Sequence, residues 1–353
     1  MIIQACERGS EDSSLVWAMI GVAVRIAQSL GLHRDGTTFK LSPFKTEIRR
    51  RIWWQLCLLD VRTAENHGTN QDIAQRDFDT KLPLNIEDRL LDPHSAEIAV
   101  ESTNFTEMTV SLVRYEIITL LRCLRSESYA TGGVTYTPSS EEIDKKTEEC
   151  KRRLQEKYLR YCDPKIPLHL FTITVARMMV ARMWINVHHP LQLGHAAGST
   201  SGPIRECIFR FSLEIVRAWL CLDTERTIRQ WRWAFQNYIP WQALAFILSE
   251  LCIRTQGTMV DNAWTTAREA FNSWAKNTTD KTHNLLWIRM KKLMAMAEKA
   301  RASAVSQATS ALGNPITLDR HLQDSDGLSV SESMYLDPEA FSFLGGATDS
   351  TPC

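Results

Sequence analysis

Apolar positions recur along most of this chain with the period of an α-helix. They return every three or four residues over long segments, and no strand-like alternation is sustained anywhere. The first such segment is capped at Ser13 or Ser14 and runs to Leu30. Its predicted core stripe is Leu15, Met19, Val22, Ile26 and Leu30. The pattern therefore predicts an all-α fold built as one large multi-helix domain.

The stretch from Gly31 to Asp60 predicts a helix end, a short loop and a long central helix. Gly31 follows an apolar run, where a C-cap favours a residue that tolerates positive φ, and Leu32 can fold back over the last turn. Ser42 and Pro43 supply an N-cap and a first helical residue. The central helix is apolar nearly all round, so we expect it to be buried. One face carries Phe44, Ile48, Ile52, Leu56 and Leu59, and the other faces carry Trp53, Trp54, Cys57, Leu58 and Val61.

Three consecutive arginines in this helix, Arg49, Arg50 and Arg51, suggest a nucleic-acid contact. Successive helix positions differ by about 100°, so these side chains point in three directions and cannot form one phosphate-binding stripe. Arg49 lies one turn before Trp53, and Arg50 one turn before Trp54, which predicts guanidinium contacts on the indole rings. We therefore interpret the triplet as a brace for a tryptophan-rich helix.

Beyond the central helix, the stretch from Asn66 to Pro93 lacks periodicity and predicts a long ordered loop. Its acidic residues are not held at helical spacing, so they give only a weak signal for Mg²⁺ or paired-carboxylate chemistry. Further helices are predicted at about residues 104–125, 141–161, 168–187, 204–222, 224–252, 260–274 and 282–304.

Several short motifs follow one another around the central helix. They comprise Gly31, Leu32, His33, Arg34, Asp35, Glu47, Arg49, Arg50, Arg51, Trp53, Trp54, Asp60, Leu82 and Pro83. Trp231 to Cys252 and the pair Ala263-Trp264 continue the series. In this order the motifs resemble the middle homology region of fungal zinc-cluster transcription factors. The likeness covers Trp17 to about Arg301, which is most of the chain.

The resemblance implies a nuclear regulator of RNA polymerase II transcription, in which this domain regulates activity or senses an effector. The implied partners are the transcriptional machinery, a small-molecule effector and a homo- or heterodimer partner. Members of the family carry a six-cysteine zinc module that binds DNA ahead of this region, and the chain lacks it. We therefore expect DNA contact only through that missing module or a partner protein, and zinc only in that module.

The family normally has further helices before the segment at Trp17, so we expect a truncated gene model or a naturally shortened form.

The composition of the chain does not favour one class of binding partner over another. Lys+Arg and Asp+Glu both number 41, and no net charge draws the chain to nucleic acid or to a membrane. The apolar runs are shorter than the ~20 residues that a membrane helix needs. The nine cysteines are scattered singly, which predicts reduced thiols and no metal site.

None of the common catalytic or phosphate-binding motifs occurs, so we expect no catalytic residues and no enzyme activity. One alternative is a ligand-binding or protein-interaction module without DNA binding. Its candidate apolar pocket would be lined by Trp53, Trp54, Trp231 and Trp241. A less favoured alternative is an all-α enzyme, whose site would be a polar pocket with converging titratable groups.

The sequence changes character near its carboxyl end, so we place the helical domain at residues 1–304 and a tail at residues 305–353. From Asp319 to Cys353 the only basic residue is Arg320, against seven acidic ones. Aromatic and aliphatic residues such as Tyr335 and Phe341 are interspersed. This composition predicts a disordered acidic tail and a candidate activation segment that folds on a partner.

Overall fold

The structure is a computed structural model that describes residues 10–67, 71–127, 139–188, 202–234, 240–277 and 285–311. Helices, loops and short 3-10 turns make up these residues, and no strand occurs within them. The all-α prediction is confirmed for this part of the chain. The α-helices are α1 (Ser10–Ser29), α2 (Pro43–His67), α3 (Thr109–Glu127), α4 (Ser140–Lys157), α5 (Pro167–His188), α6 (Gly202–Thr224), α7 (Trp241–Leu251), α8 (Thr258–Asn277) and α9 (Leu285–Ala311).

The chain divides into two compact units. The first contains residues 1–199 and 227–238, and the second contains residues 200–226 and 239–353. Helices α1 to α5 belong to the first unit, and α6 to α9 belong to the second. Helix α9 continues past the predicted domain end at residue 304 to Ala311. The rest of the predicted acidic tail lies outside the described residues.

Helix α2 is the central helix of the first unit, where it packs against α1 and α3. It begins at Pro43, as predicted, and the Ser42 hydroxyl accepts a hydrogen bond from the Lys45 amide at 3.4 Å. The expected burial nearly all round is not complete, because Ile52 is 46% exposed, although Leu59 on the same face is buried. The buried face carries Trp53, Trp54, Cys57, Leu58 and Val61. A helix that is apolar nearly all round offers several stripes, and packing selects among them.

Helix α1 ends in the cap that the sequence predicts at Gly31. Gly31 has a φ of +70°, and its N–H bonds to the Gln28 carbonyl at 2.9 Å. The Leu32 N–H bonds to the Ala27 carbonyl at 2.9 Å, which completes a Schellman motif. Leu32 is buried, so the residue after the cap folds back onto the core as predicted.

The predicted core stripe of α1 is wrong. All five of its residues are exposed: Leu15, Met19, Val22, Ile26 and Leu30. The buried stripe is the neighbouring one, with Val16, Ile20, Val24 and Ala27. Both stripes are apolar at helical spacing, so the pattern alone does not choose between them. The observed stripe has smaller side chains, which allow α1 to approach α2 more closely.

A long loop connects α2 to α3, and from residue 71 onward the structure describes it completely. It contains two short 3-10 turns, Gln75–Asp77 and Asp88–Leu90, and Ile73 and Ile86 are fully buried. The prediction of an ordered, packed loop is confirmed. We call residues 71–108 the signature loop, because they carry the Leu82-Pro83 motif.

Helix α3 begins later than predicted, because side chains hold the end of the signature loop in a non-helical form. The Asn85 amide nitrogen donates to the carbonyls of Ser102 at 2.8 Å and Asn104 at 3.0 Å. The Thr106 hydroxyl donates to the Asn85 amide oxygen at 2.8 Å. These local bonds compete with helix formation, and the helix starts only at Thr109.

Helix α5 is more apolar than the sequence analysis expected. By length and mean hydropathy, the stretch Pro167–Asn186 could cross a membrane. Its most apolar window is 56% buried inside the structure, and Val175, Ala176 and Met183 are fully buried. The core helix of a folded unit passes the same test of length and hydropathy. Helices α3 and α4 both pack against α5.

The second unit is organised around α7, which packs against α6, α8 and α9. Its carboxylate Glu250 is buried and accepts hydrogen bonds from Arg205 Nε at 2.6 Å and Arg254 Nε at 2.8 Å. The predicted single helix over residues 224–252 is wrong. A 3-10 turn at Arg229–Ala234 precedes α7, which starts after Pro240, a residue without the N–H that a helix interior needs.

Two isoleucines of α1 can test which of its apolar stripes is buried. Ile20→Ala should lower the free energy of unfolding by about 2–5 kcal/mol, because Ile20 is only 2% exposed and truncation leaves a cavity. Ile26→Ala, at a side chain that is 54% exposed, should change it by about 0.5 kcal/mol or less. Urea unfolding followed by tryptophan fluorescence measures both. A larger loss for Ile26→Ala would restore the predicted stripe.

Candidate functional site

The charged motif residues lie on α2 or just before it. We call Asp35, Glu47, Arg49, Arg50, Arg51 and Asp60 the signature cluster. Each member bonds to the signature loop, to another member or to the end of α1. The geometry of these bonds decides whether the cluster is a chemical site or part of the framework.

Asp35 and Arg50 form a buried ion pair. Arg50 Nε donates to Asp35 Oδ2 at 2.8 Å and Nη2 donates to Oδ1 at 3.0 Å, which is bidentate geometry. The carboxylate also accepts from the Thr37 hydroxyl at 2.7 Å and from the Lys81 backbone N–H at 3.1 Å. Burial alone raises the pKa of Asp35, but these bonds outweigh it and hold the pKa well below its usual value.

The segment from Leu32 to Asp35 pairs with the signature loop near Asp79. The Asp35 backbone N–H donates to Asp79 Oδ1 at 2.7 Å, and the Asp79 N–H donates to the His33 carbonyl at 3.1 Å. The Thr80 hydroxyl donates to the Leu32 carbonyl at 2.8 Å. Arg34 adds an exposed ion pair with Asp79 at 2.9 Å. The motif residues from Leu32 to Asp35 thus anchor the middle of the loop.

Glu47 and Arg51 hold the loop next to the Leu82-Pro83 motif. Both carboxylate oxygens of Glu47 accept from the Leu84 backbone N–H, at 3.3 and 3.1 Å. Arg51 Nε donates to Glu47, one helical turn away, at 2.9 Å, and Arg51 Nη1 donates to Asp88 at 2.6 Å. Pro83 is buried and Leu82 is half-buried beneath these contacts.

Asp60 anchors the start of the signature loop. Its two oxygens accept from the backbone N–H groups of Asp72 at 3.0 Å and Ile73 at 3.1 Å. Burial raises the pKa of Asp60, and these two N–H donors oppose that rise only in part. The Ile73 carbonyl in turn accepts from Arg122 Nη2 of α3 at 2.6 Å. The peptide groups around Ile73 are therefore fixed from both α2 and α3.

The predicted stacking of Arg49 and Arg50 on the two tryptophans is wrong. Arg49 Nη2 donates to the carbonyls of Leu30 at 3.1 Å and Gly31 at 2.6 Å, and its guanidinium lies over the Phe39 ring at 5.6 Å. It therefore caps the carboxyl end of α1, where free carbonyls and the helix dipole favour a cation. Arg50 is held by Asp35, because a carboxylate attracts a guanidinium more strongly than an indole ring does.

Trp53 and Trp54 are both buried and meet at Phe78 of the signature loop. The Phe78 ring centroid lies 5.5 Å from that of Trp53 and 5.6 Å from that of Trp54. Trp54 Nε1 donates to the Lys81 carbonyl at 2.9 Å, and its ring lies 5.8 Å from Tyr115. Edge-to-face contacts of this kind are typical of packed aromatic cores.

The other two residues of the predicted apolar pocket lie elsewhere. Trp231, in the 3-10 turn of the first unit, contacts the Phe171 ring at 5.4 Å. Trp241 belongs to the second unit, where it opens α7 and is 40% exposed. Two cavities in the first unit are lined by residues other than these four tryptophans. A pocket formed by the tryptophans therefore stays a prediction.

The first of these cavities lies between α2, α3 and α5. Its walls are mostly aliphatic and methionine side chains, with Arg62, Arg114, Arg182 and Glu65 at the polar side. The second lies between the start of α2 and the signature loop, and includes Phe44, Leu84 and Ile98. Neither cavity was expected from the sequence, because its lining comes from segments that are far apart along the chain.

The charged residues of the signature cluster form hydrogen bonds or ion pairs with other groups of the fold. Their arrangement is therefore that of a structural framework. The described residues contain no group of three or more His, Cys, Asp or Glu side chains that could hold a metal ion. Burial raises the pKa of Cys57 and Cys162 to about 12 and that of Cys150 to about 11. Zinc binds thiolates, and these protonated, separated thiols do not fit the ligand set of a zinc cluster.

Sequence reasoning missed three residues that bond to the cluster or to the loop it holds, namely Thr37, Asp79 and Arg122. Asp79 lies three residues before Leu82, and this closeness to the motif is the signal that could have found it. Arg122 carries no such signal, because it lies in the middle of α3 and reaches back to Ile73.

Comparison with known proteins identifies this arrangement. Residues 1–201 match the model of the fungal specific transcription factor domain. The chain belongs to this family. Within the fungal specific transcription factor domain, the matched residues include α1 to α5, the signature loop and the whole signature cluster. The resemblance predicted from the motifs is therefore confirmed.

The domain is similar to several fungal regulators. It is 29% identical to the aurofusarin cluster transcription factor aurR2 of Gibberella zeae over 78% of this chain and 41% of the relative. It is 30% identical to the C6 finger domain transcription factor hasF of Aspergillus fumigatus over 71% of this chain and 36% of the relative. The pyriculol/pyriculariol biosynthesis cluster transcription factor 1 of Pyricularia oryzae is 27% identical over 73% of this chain and 35% of the relative.

The chain thus spans about two-fifths or less of the length of these curated relatives. No solved structure matches it.

The buried ion pair of the fungal specific transcription factor domain can be tested against an exposed one. Arg50→Met should lower the free energy of unfolding by about 3–5 kcal/mol, because it leaves the Asp35 carboxylate buried without its cation. Arg34→Met removes the exposed pair with Asp79 and should cost about 1 kcal/mol or less. Equal losses in urea unfolding would contradict the structural role assigned to Arg50.

Acid should weaken the domain through Asp35. Because its pKa is lowered in the folded state, the unfolded state binds more protons as the pH approaches the ordinary aspartate value of 3.8. The stabilisation by Asp35 is then complete above that value and is lost as the pH falls below it. Urea unfolding of the parent and of Asp35→Asn at pH 6, 5, 4 and 3 should show a large difference that shrinks towards pH 3. A constant difference would contradict the lowered pKa.

Proposed function

We propose that the protein acts in the nucleus as a regulator of RNA polymerase II transcription, to which this chain contributes the regulatory helical domain. The match of residues 1–201 to the fungal specific transcription factor domain carries this proposal. The names of its relatives, which are transcription factors and not enzymes, support it.

DNA would be read by a zinc module outside this chain or by a partner protein. The arginine triplet supports this, because Arg49, Arg50 and Arg51 are each engaged by carbonyl or carboxylate oxygens inside the fold. Direct readout needs side chains that are free to reach base edges or phosphates. The formal net charge of zero also gives the chain no general attraction to DNA.

The target genes would belong to a biosynthetic gene cluster. Two of the relatives described above are named for an aurofusarin cluster and for a pyriculol/pyriculariol biosynthesis cluster. The acidic, aromatic tail at residues 305–353 would contact the transcriptional machinery, since interspersed acidic and aromatic residues are typical of activation segments. A heterodimer with a protein that carries the zinc module would bring the domain to DNA.

The second function that a specific observation favours is ligand sensing without turnover. The cavity between α2, α3 and α5 supports it, because an apolar pocket with a few converging polar groups is the usual form of a small-molecule site. This function is compatible with the first, since a sensing domain can regulate the activity of the transcription factor that contains it.

A reporter assay tests the transcriptional role. The full chain is joined to an unrelated DNA-binding domain in a fungal host, and reporter output is compared with that of the DNA-binding domain alone. We expect a changed output that is largely lost when Phe341, Phe343 and Leu344 are replaced by alanine, because these residues supply the apolar contacts of the tail.

The matched control replaces Ser331, Ser333 and Ser342 by alanine, which leaves every acidic and aromatic residue in place. This variant should keep the output of the parent chain. An output equal to that of the DNA-binding domain alone, in both an activation and a repression format, would refute the transcriptional role. An unaltered output in the Phe341, Phe343 and Leu344 variant would refute the role of the tail.

A further inference from the structure

The cavity between α2, α3 and α5 combines an apolar wall with a cationic one. Leu58 of α2, Ile118 of α3 and Met183 of α5 form part of the apolar wall. The cavity opens to solvent. The centres of water-sized atoms can occupy about 30 Å³ of it. Since one water needs about 10–15 Å³ on this measure, the space accommodates a small head group but not a large ligand.

Positive charge dominates the polar side of this cavity. Arg182 Nη2 bonds to Glu65 at 2.9 Å, and the Asn186 amide nitrogen donates to the other Glu65 oxygen at 2.7 Å. Glu65 is therefore already engaged at both oxygens. Among the described residues it is the only carboxylate that lines the cavity, against three arginines: Arg62, Arg114 and Arg182.

Arg114 lines the cavity and is half-buried. Within the described residues, no hydrogen bond joins its guanidinium to a carboxylate or carbonyl. Burial, with the nearby positive charge of Arg62, lowers the pKa of Arg114 to about 10. A guanidinium that is partly removed from water and placed beside a like charge lacks the anion that normally compensates such a group.

We propose that this cavity binds a small organic monocarboxylate, whose carboxylate group pairs with Arg114 and whose apolar body lies against the methionine and aliphatic wall. The planar guanidinium matches a carboxylate in bidentate geometry. The flexible side chains of Met178 and Met183 can move to admit an apolar body larger than the present space. The inference rests on the proposed role of the domain in sensing and names the class of its ligand.

Other ligand classes fit the cavity less well. A metal cation or an amine would meet three arginines and one carboxylate that is already engaged. An inorganic phosphate keeps a strong hydration shell, and a mostly apolar wall cannot replace it. A monocarboxylate with an apolar body carries one charge for the arginine side and apolar surface for the opposite wall, so it complements both.

The test uses the full chain and two probes of the same size, hexanoate and its neutral amide. Isothermal titration calorimetry should detect binding of hexanoate and little or no binding of hexanamide. Arg114→Leu should weaken hexanoate binding by about 10- to 100-fold, the value of a hydrogen bond to a charged group. Arg76→Leu removes an exposed arginine of the signature loop outside the cavity and should bind as the parent does.

Methionine-methyl NMR of the parent chain locates the bound probe without any substitution. Hexanoate should shift the methyl signals of Met178, Met179 and Met183, which line the cavity, and leave that of Met259 in the second unit unchanged. Three outcomes would overturn the proposal: no binding of hexanoate, equal binding of the amide, or shifts confined to other methionines. Reporter activity with no hexanoate binding would refute this site and leave the transcriptional role standing.

Discussion

A buried peptide group needs a hydrogen-bond partner, and the signature loop meets this requirement without a strand or an α-helix of its own. Its partners are side chains of the elements around it. Asp60 accepts from the N–H groups at the start of the loop, Asp35 from that of Lys81, and Glu47 from that of Leu84. Trp54 donates to the Lys81 carbonyl. Side chains of the acidic and aromatic motif residues thus form the hydrogen bonds that a sheet or a helix would otherwise provide to the loop backbone.

Local signals along the chain were enough to predict some of the helix ends. The Gly31 cap and the Pro43 start depend on residues within one or two turns, and each appears in the structure. The inward face of a helix depends instead on its neighbours. On α1 two apolar stripes lie side by side, and only the approach of α2 decides that Ile20 is buried and Ile26 is exposed.

The motif identified the residues of the signature cluster but not their roles. Arg49 and Arg50 are correctly spaced for the indole rings, yet their partners are a helix end and an aspartate that precede α2 in the sequence. A period of 3.6 residues describes contacts within one helix and says nothing about partners from other segments. The cavity lined by Arg114 was missed for the same reason, since α2, α3 and α5 each supply a part of it.

The span of these contacts bears on the order of folding. The bonds from Asp35 to Asp79 and Lys81 join residues 44 and 46 positions apart, and that from Arg122 to Ile73 joins residues 49 apart. Closing such a span costs chain entropy before any bond is gained. Asp35, Glu47, Trp54 and Asp60 all precede the loop in the chain, whereas Arg122 follows it. During synthesis the Ile73 carbonyl therefore has no Arg122 guanidinium to bond with until α3 has been made.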